Sequence, residues 1–286
     1  MLECAAFGAS RLVTHAEWEK VRCIMDLGVR GRTAMVAAGS KGLGRAIAAA
    51  LVGEGARVSI CARSDGPLSE TEAVLRAAGG DVLAMTVDVT RADELARWHA
   101  ATVERLGAPS LVVTNTGGPP TGQFEELSED AWRAGIDGTL MNVIRMCRLV
   151  LPAMRAAKYG RIVHLTSFVA KQPMSILTIS STLRAGLSAL TKTMATQVAA
   201  DGITVNAVLP GHFLTDRQVH LNELRAEQHG TTRAAWEAKV VADIPARRFG
   251  RPEELADAVA FLLSERAAYI NGTSIQIDGG LLGATF

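Results

Sequence analysis

Cysteines are few in this 286-residue sequence, and they are not arranged to bind a metal or to build a disulfide framework. Cys4, Cys23, Cys61 and Cys147 stand far apart, without CxxC spacing and without paired histidines. Zinc sites and small disulfide-bonded folds need such spacing. We therefore expect no metal site, and we expect a protein of the reducing cytoplasm.

The chain also lacks an excess of charge of either sign and a long apolar segment. Thirty basic residues against 29 acidic ones leave a formal net charge of +1, so no global field favours nucleic acid or a membrane surface as a partner. No apolar run approaches the roughly 18 to 20 residues that cross a bilayer. Glu3, His15, Glu17 and Glu19 stand where a signal peptide needs an apolar core. Small molecules are the expected ligands.

What the sequence does contain is a regular alternation of short apolar runs with longer segments of helical periodicity. The apolar runs are continuous, as expected of strands that are covered on both faces. This alternation predicts an α/β fold: a single-domain, Rossmann-type, doubly wound parallel sheet with helices on both faces. The predicted strands are 32–37, 56–62, 82–87, 110–114, 161–166, 203–209 and 273–277, and the helical segments after the first are 67–78, 91–106, 128–157, 176–200 and 252–264.

Two segments fall outside the alternation. Residues 1–24 have mixed polarity and precede Met25, where MDLGVRGRTAMVAAGSKGLG begins. We interpret them as an N-terminal extension or as the product of a start codon assigned too far upstream, with a genuine structural element as the alternative, and we expect the domain to occupy 25–286. Residues 212–248 are polar and helical in pattern, which predicts a lid inserted after a strand.

A glycine-rich turn follows the first predicted strand. The stretch AAGSKGLGRAIA places Gly39, Gly42 and Gly44 between a strand and a helix. The amides of such a turn and the positive end of the helix dipole point to one place, where a pyrophosphate is stabilised. The turn therefore predicts a nucleotide site.

The end of the second predicted strand bears on which nucleotide binds. Arg63 stands there and Lys41 reaches the same corner from the glycine turn, and basic side chains favour the 2′-phosphate of NADP(H). Asp65 lies slightly further on and keeps NAD(H) open. Asp88 ends the third predicted strand, where its carboxylate can accept the adenine amino group or belong to a helix N-cap region.

From about residue 26 onward the chain resembles the short-chain dehydrogenase/reductase family. The motifs that carry the resemblance are the glycine turn, DVT at 88–90, NTG at 115–117, Ser167, PG at 210–211 with Thr215, and IDGG at 277–280. SKGLGRAIA, NTGGPPTG and TSFVAKQP are similar more narrowly to bacterial 3-oxoacyl-acyl-carrier-protein reductases. The resemblance implies a nicotinamide cofactor, a carbonyl or alcohol substrate, and a homodimer or homotetramer packed through the segments 128–157 and 176–200.

The resemblance also assigns cofactor contacts to individual residues. They are Gly39, Ser40, Lys41, Gly42, Leu43, Gly44, Arg63, Asp88, Val89, Asn115, Gly117, Arg184, Pro210, Gly211 and Thr215. One departure lies in this set of motifs, because Ala38 takes the place of the first glycine of the family's turn.

Family chemistry uses an asparagine, a serine and a Tyr-x-x-x-Lys pair, and this sequence keeps the spacing while changing the residues. Ser167 has the serine's place. The tyrosine position holds Ser180, the lysine position holds Arg184, and the asparagine position holds Thr139. An aliphatic hydroxyl is shorter and far less acidic than a phenol, so ordinary tyrosine-dependent catalysis is not expected. Arg184 can bind ribose hydroxyls, but it does not release a proton readily.

Two other residues are candidates for the missing acid. Lys171 follows Ser167 by four residues and would need desolvation to act, with a solvated loop charge as the alternative. His212 follows Pro210 and Gly211, and it titrates in a useful range unless it is only a residue of the lid. His164, inside a predicted strand, is expected to be a hydrogen-bonded core residue.

These residues lead to two hypotheses. The first is an NADP(H)-dependent oxidoreductase that acts on a carbonyl/alcohol pair with an atypical active site, in which Ser167 polarises the oxygen. The alternative is a non-catalytic NADP(H)-binding sensor, or a partner subunit of an active relative. Lyase or dehydratase chemistry on the same scaffold stays open as a third possibility.

Overall fold

One sheet of seven parallel strands forms the centre of the computed structural model, which describes residues 25–285. The strand order is β3-β2-β1-β4-β5-β6-β7, and every neighbouring pair is parallel. The chain reverses its direction of travel across the sheet between β1 and β4, where a doubly wound sheet opens a crevice. The strands are β1 Thr33–Val36, β2 Arg57–Ala62, β3 Val82–Thr86, β4 Pro109–Thr114, β5 Gly160–Leu165, β6 Ile203–Pro210 and β7 Ser274–Ile277.

Helices cover both faces of this sheet, which confirms the predicted fold class. α1, α2 and α9 pack on one face and α3, α5 and α6 on the other, each group around its own apolar core. The helices are α1 Gly42–Gly53, α2 Asp65–Ala77, α3 Ala92–Leu106, α4 Glu129–Gly135, α5 Asn142–Ala157, α6 Thr178–Val198, α7 Asp216–Gln228, α8 Arg233–Ala242 and α9 Pro252–Leu262. None of the helices within 25–285 is long and apolar enough to cross a membrane.

Several polar side chains of the central strands have hydrogen-bond partners, although Thr204 Oγ1 on β6 has none within the described chain. All residues of β5 and β6 are buried. His164 Nδ1 and Thr114 Oγ1, on neighbouring strands, are 2.8 Å apart, and Asn206 donates to the Ile270 carbonyl at 2.8 Å. His164 is therefore a buried, hydrogen-bonded core residue, as expected. Burial lowers the pKa of its imidazole to about 4.

The predicted helical region 128–157 is helical from Glu129 to Ala157, but it is not α-helical throughout. α4 ends at Gly135, a π-helical segment runs over Ile136–Met141, and α5 begins at Asn142. A Cβ on Gly135 would overlap the Ile179 side chain of α6, so this glycine lets α4 lie directly against α6. A π-helical segment adds one residue to a turn and often occurs at functional sites. Helical periodicity over so short an insertion does not reveal it.

Two helices occupy the insertion that follows β6. Thr215 and Thr232 cap α7 and α8 through their hydroxyl oxygens. An ion pair of 3.0 Å between Arg233 and Glu223 joins the two helices. The insertion is thus a pair of packed helices at the carboxyl end of β6. The predicted N-terminal extension, 1–24, lies outside the described residues.

Candidate active site

A cleft of about 470 Å³ opens at the carboxyl ends of β1, β2, β3 and β4. Its walls come from the glycine turn, the end of β2, the stretch after β3, the loop after β4 and the π-helical segment. The predicted residues Ser40, Lys41, Arg63, Asp88, Val89, Gly117 and Thr139 line it, together with Ala38, Ala62, Ser64, Pro67, Val87, Thr90, Thr116, Gly118, Pro119, Pro120, Ala134 and Gly138.

The glycine turn leaves the amino end of α1 open to a ligand. A Cβ on Gly44 would overlap the Ala38 carbonyl and stand 3.0 Å from Asn115 Nδ2, and one on Gly39 would stand 2.8 Å from the Ile60 side chain. Gly42 has a φ of +53°. Since no side chain caps α1, its first amides are free to donate. These features fit the pyrophosphate of a dinucleotide.

Ala38 adopts a conformation that favours glycine. Its φ is +50°, in the left-handed region that costs a residue with a Cβ roughly 1–2 kcal/mol. The carbonyl of Ala38 faces Gly44, and the residue itself lines the cleft. The turn therefore accommodates an alanine at position 38, where the sequence resemblance predicts a glycine.

Basic residues dominate the corner where a 2′-phosphate would lie. Arg63, Ser64 and Lys41 all line the cleft there. Asp65, which kept NAD(H) open, does not line the cleft, because it begins α2 and accepts a hydrogen bond from Ser69 at 3.4 Å. The corner thus offers two cations and a hydroxyl, and the charged carboxylate that acts on Arg63 is that of Asp88 rather than Asp65.

The Asp88 carboxylate is fixed by local hydrogen bonds and keeps one oxygen free, within the described chain, to accept another. One of its oxygens, Oδ1, accepts from the Thr90 amide at 2.9 Å and from the Thr90 hydroxyl at 2.8 Å. Burial raises the pKa of Asp88, but the Thr90 hydrogen bonds, with Arg63 and Arg91, outweigh burial and hold it below its usual value. The carboxylate is therefore charged, and Oδ2 has no hydrogen-bond partner within residues 25–285.

Ser180 and Arg184, which the sequence resemblance assigns to the family's tyrosine and lysine positions, form a hydrogen bond with each other. Arg184 Nε donates to Ser180 Oγ at 3.1 Å. Arg184 Nη1 donates to the carbonyls at the end of β5, to Thr166 at 2.6 Å and to Leu165 at 3.3 Å. Burial, with a contribution from Arg217, lowers the pKa of Arg184 to about 10. At neutral pH the guanidinium is thus a fixed positive charge.

Ser167 and Thr139 are two further predicted site residues with side-chain hydroxyls. Ser167 follows β5 and its Oγ accepts from the Val169 amide at 3.4 Å, which leaves the hydroxyl hydrogen available to donate. Thr139 is buried in the π-helical segment, lines the cleft, and its Oγ1 has no partner within the described chain. The Ser167 hydroxyl therefore has capacity for a ligand, whereas the Thr139 Oγ1 atom is buried beneath the surface of the cleft.

Neither candidate acid has the surroundings that its role needs. Lys171 is exposed, so the fold does not supply the desolvation that would tune its amine. His212 packs against Phe168 with 5.5 Å between ring centroids. It lines a second cavity of about 210 Å³ with Arg248 and Asp278, which shares no lining residue with the cleft. Burial lowers the pKa of His212, and a side-chain hydrogen bond with Gln218 offsets part of this decrease.

The start of α7 reaches across the cleft. Thr215 lies 3.2 Å from where a Cβ of Gly42 would stand, and Arg217 Nη2 lies 2.6 Å from where a Cβ of Gly118 would stand. Pro210 ends β6, and the Gly211 amide donates to the Ile277 carbonyl at 3.0 Å. The prediction treated 212–248 as one insertion and missed Arg217. The sequence signal that points to Arg217 is the N-cap pattern that begins at Thr215, because this pattern places Arg217 in the first turn of a helix.

A parallel doubly wound sheet with a glycine turn at its crevice defines a dinucleotide-binding Rossmann protein. A family model described as enoyl-(acyl carrier protein) reductase matches residues 36–282. The 3-oxoacyl-[acyl-carrier-protein] reductase of Vibrio harveyi is 32% identical over 255 residues, 89% of this chain and 99% of that enzyme. The chain belongs to the short-chain dehydrogenase/reductase family, which confirms the resemblance.

Two solved structures extend the comparison. L-sorbose reductase from Gluconobacter frateurii, complexed with NADPH and L-sorbose, has a TM-score of 0.88 and 32% identity, and the match covers 91% of this chain and 100% of that one. An NADPH-bound short-chain oxidoreductase from Pseudomonas aeruginosa PAO1, described as containing an atypical catalytic centre, has a TM-score of 0.82 and 31% identity, with coverage of 90% and 100%.

Proposed function

We propose that this protein is an NADP(H)-dependent oxidoreductase acting on a carbonyl/alcohol pair with an atypical active site. The observation that carries the proposal is the cleft itself: an open helix end, a basic 2′ corner and a charged Asp88 lie in one crevice, with Ser167 and Arg184 at the end of the adjacent strand. The family of the chain is one of oxidoreductases, and both solved neighbours are NADPH-bound.

The residues of the cleft match the parts of NADP(H) one by one. The first amides of α1 would hold the pyrophosphate, Arg63 and Lys41 would hold the 2′-phosphate, and Asp88 Oδ2 would accept from the adenine amino group. When bound, the nicotinamide supplies or takes up the hydride. Thr215 and Asn115 lie beside the glycine turn, where they can contact the cofactor from the lid and from β4.

Charge stabilisation, rather than a strong acid, is the contribution of the other residues. A carbonyl that receives a hydride develops negative charge on its oxygen. Ser167 donates a hydrogen bond to that oxygen, and the fixed charge of Arg184 stabilises it from the end of β5. Ser180 keeps a hydroxyl hydrogen to donate, because its oxygen accepts from Arg184. The proton itself then comes from water in the cleft, since Lys171 is exposed and His212 faces another cavity.

One experiment tests this proposal directly. Purified full-length protein is titrated with NADPH and with NADH by following cofactor fluorescence, and NADPH oxidation is then followed with a panel of aldehydes and ketones. We expect tighter binding of NADPH and turnover of part of the panel. Binding of NADPH without turnover of any member would favour the alternative, a non-catalytic NADP(H) sensor or partner subunit.

The alternative rests on the Ser180–Arg184 bond, which occupies the two positions that normally do proton chemistry. The Pseudomonas aeruginosa protein is nevertheless described as an oxidoreductase despite its atypical centre, which supports the catalytic proposal. We further propose a cytoplasmic homodimer or homotetramer packed through the region of α4, α5 and α6. Sedimentation of the purified protein tests the assembly.

A further inference from the structure

Two arginines lie near the carboxyl ends of β4 and β5 without an acidic partner within the described chain. No ion pair within residues 25–285 involves Arg184 or Arg217. Arg184 is only 7% exposed, and its hydrogen bonds go to a hydroxyl and two carbonyls, all neutral. Asp216, the neighbour of Arg217, forms no ion pair with it.

A buried cation without a counter-ion is costly, and a second cation nearby adds repulsion. Arg217 acts on Arg184 in this way, since both burial and Arg217 lower the pKa of Arg184. Proteins commonly keep such an arrangement where an anion is bound. Arg184 Nη2 has no hydrogen-bond partner within the described chain, so it is available to a ligand.

The guanidinium of Arg217 lies beside the loop after β4, although Thr215, at the start of the same helix, lies beside Gly42 at the amino end of α1. Arg217 lies in the first turn of α7, whose positive end adds to the field, and its guanidinium is against Gly118 in the loop after β4. The guanidinium of Arg184, which projects from α6, lies at the end of β5 and donates to the carbonyl of Thr166, the residue before Ser167. The pyrophosphate belongs instead at the amino end of α1. Because β4 and β5 are neighbouring strands, the two guanidiniums lie toward the same end of the sheet as Ser167.

We propose that Arg184 and Arg217 form an anion site for the substrate, which is a carbonyl compound or alcohol with a carboxylate near the reacting carbon. This inference rests on the proposed function. A guanidinium recognises a carboxylate with two parallel hydrogen bonds, and two guanidiniums hold it in a fixed orientation. A phosphate of the cofactor has the same chemistry, and the experiment separates the two sources.

Matched substrates and variants test the site. NADPH oxidation is measured with acetoacetate and methyl acetoacetate, and with phenylglyoxylate and its methyl ester. We expect kcat/KM to be at least about tenfold higher for each acid than for its ester. Arg217→Gln should reduce this preference about tenfold to a hundredfold, and Arg217→Lys should restore part of it. The control is Arg97→Gln, an exposed arginine of α3 without an ion-pair partner within residues 25–285.

A second readout does not depend on turnover. Oxamate, a small carboxylate that is not reduced, is titrated by calorimetry into the protein saturated with NADP⁺ and into the protein alone. We expect it to bind the wild-type and Arg97→Gln proteins and to bind Arg217→Gln at least about tenfold more weakly. The affinity for NADPH should be the same in all three.

Three results would overturn the inference. One is equal kcat/KM for acids and esters in a protein that binds NADPH and reduces neutral carbonyls, which leaves the proposed function standing. Another is an Arg217→Gln protein that loses NADPH affinity and keeps the acid preference, because the anion is then a cofactor phosphate. The third is oxamate binding that Arg217→Gln does not change. If no carbonyl is turned over, the proposed function fails, and the oxamate titration still decides the anion site.

Discussion

The proposed nucleotide end of the cleft is shaped by backbone and glycine. The proposed catalytic end is shaped by two side chains that share a hydrogen bond. At the first end, Gly39 and Gly44 permit contacts that no side chain would fit. At the second, Arg184 donates a hydrogen bond to Ser180, at two positions that the sequence resemblance assigns to a lysine and a tyrosine. Backbone geometry depends on few residue types, so it survives sequence change, while proton chemistry changes with one substitution. Binding and catalysis can therefore be broken separately.

The largest effect is expected at the glycine turn. Gly44→Ala puts a Cβ into the Ala38 carbonyl, which must shift the turn, so we expect a loss of stability of about 1–3 kcal/mol and NADPH binding weaker on the order of a hundredfold. Thermal unfolding and fluorescence titration measure both. Gly53→Ala is the control: it ends the same helix, and its Cβ would meet no atom within 4 Å. Equal losses in both variants would contradict the packing argument.

Ser167 and Ser180 test the catalytic end without disturbing the first. Ser167→Ala removes the hydroxyl proposed to polarise the carbonyl, so kcat should fall roughly a hundredfold while the NADPH dissociation constant stays the same. Ser180→Ala should change kcat by only about fivefold or less, since this hydroxyl is a poor acid. Steady-state kinetics on one carbonyl substrate compare them. A larger loss in Ser180→Ala would show that Ser180 handles the proton.

The sequence predicts the backbone features of this molecule better than it predicts the positions of the side chains. The continuous apolar runs predict β5 and β6 because burial on both faces leaves a direct mark on composition. The glycine turn predicts the nucleotide site because its geometry requires glycine. His212 and Lys171 were proposed from closeness along the chain, yet one faces another cavity and the other faces solvent. Side-chain direction after a strand depends on packing, which spacing does not record.

Arg217 and the π-helical segment show a second limit. Arg217 reaches Gly118 only because α7 begins at a capping threonine beside the glycine turn. Thr139 lines the cleft from a segment that periodicity predicts as ordinary helix. Both depend on contacts between segments far apart in the chain. A site assembled in this way is visible only when the fold is known.

A smaller effect should separate the two nicotinamide cofactors at the nucleotide end. Arg63→Ala removes a cation from the 2′ corner and leaves Lys41 and Ser64 in place. We expect the dissociation constant of NADPH to rise about tenfold to a hundredfold, because a charge-assisted hydrogen bond is lost. The dissociation constant of NADH should change little. Parallel titrations with both cofactors measure this. A similar loss for NADH would place Arg63 elsewhere on the nucleotide.

The smallest predicted effect concerns the backbone of the glycine turn. Ala38 has a φ of +50°, which costs a residue with a Cβ roughly 1–2 kcal/mol. A change to glycine removes this cost, but the greater entropy of the unfolded glycine chain offsets about 0.4–1 kcal/mol of the gain. Ala38→Gly should therefore stabilise the protein by about 0.5–1 kcal/mol, which urea unfolding measures. Gly79→Ala is the reciprocal control, because Gly79 has a φ of +86° and open space around its Cβ. The free energy of unfolding of the Gly79→Ala protein should fall by a similar amount. If Ala38→Gly is neutral while Gly79→Ala is destabilising, the turn would be relaxed rather than strained, and the missing glycine would have no energetic consequence at the nucleotide end.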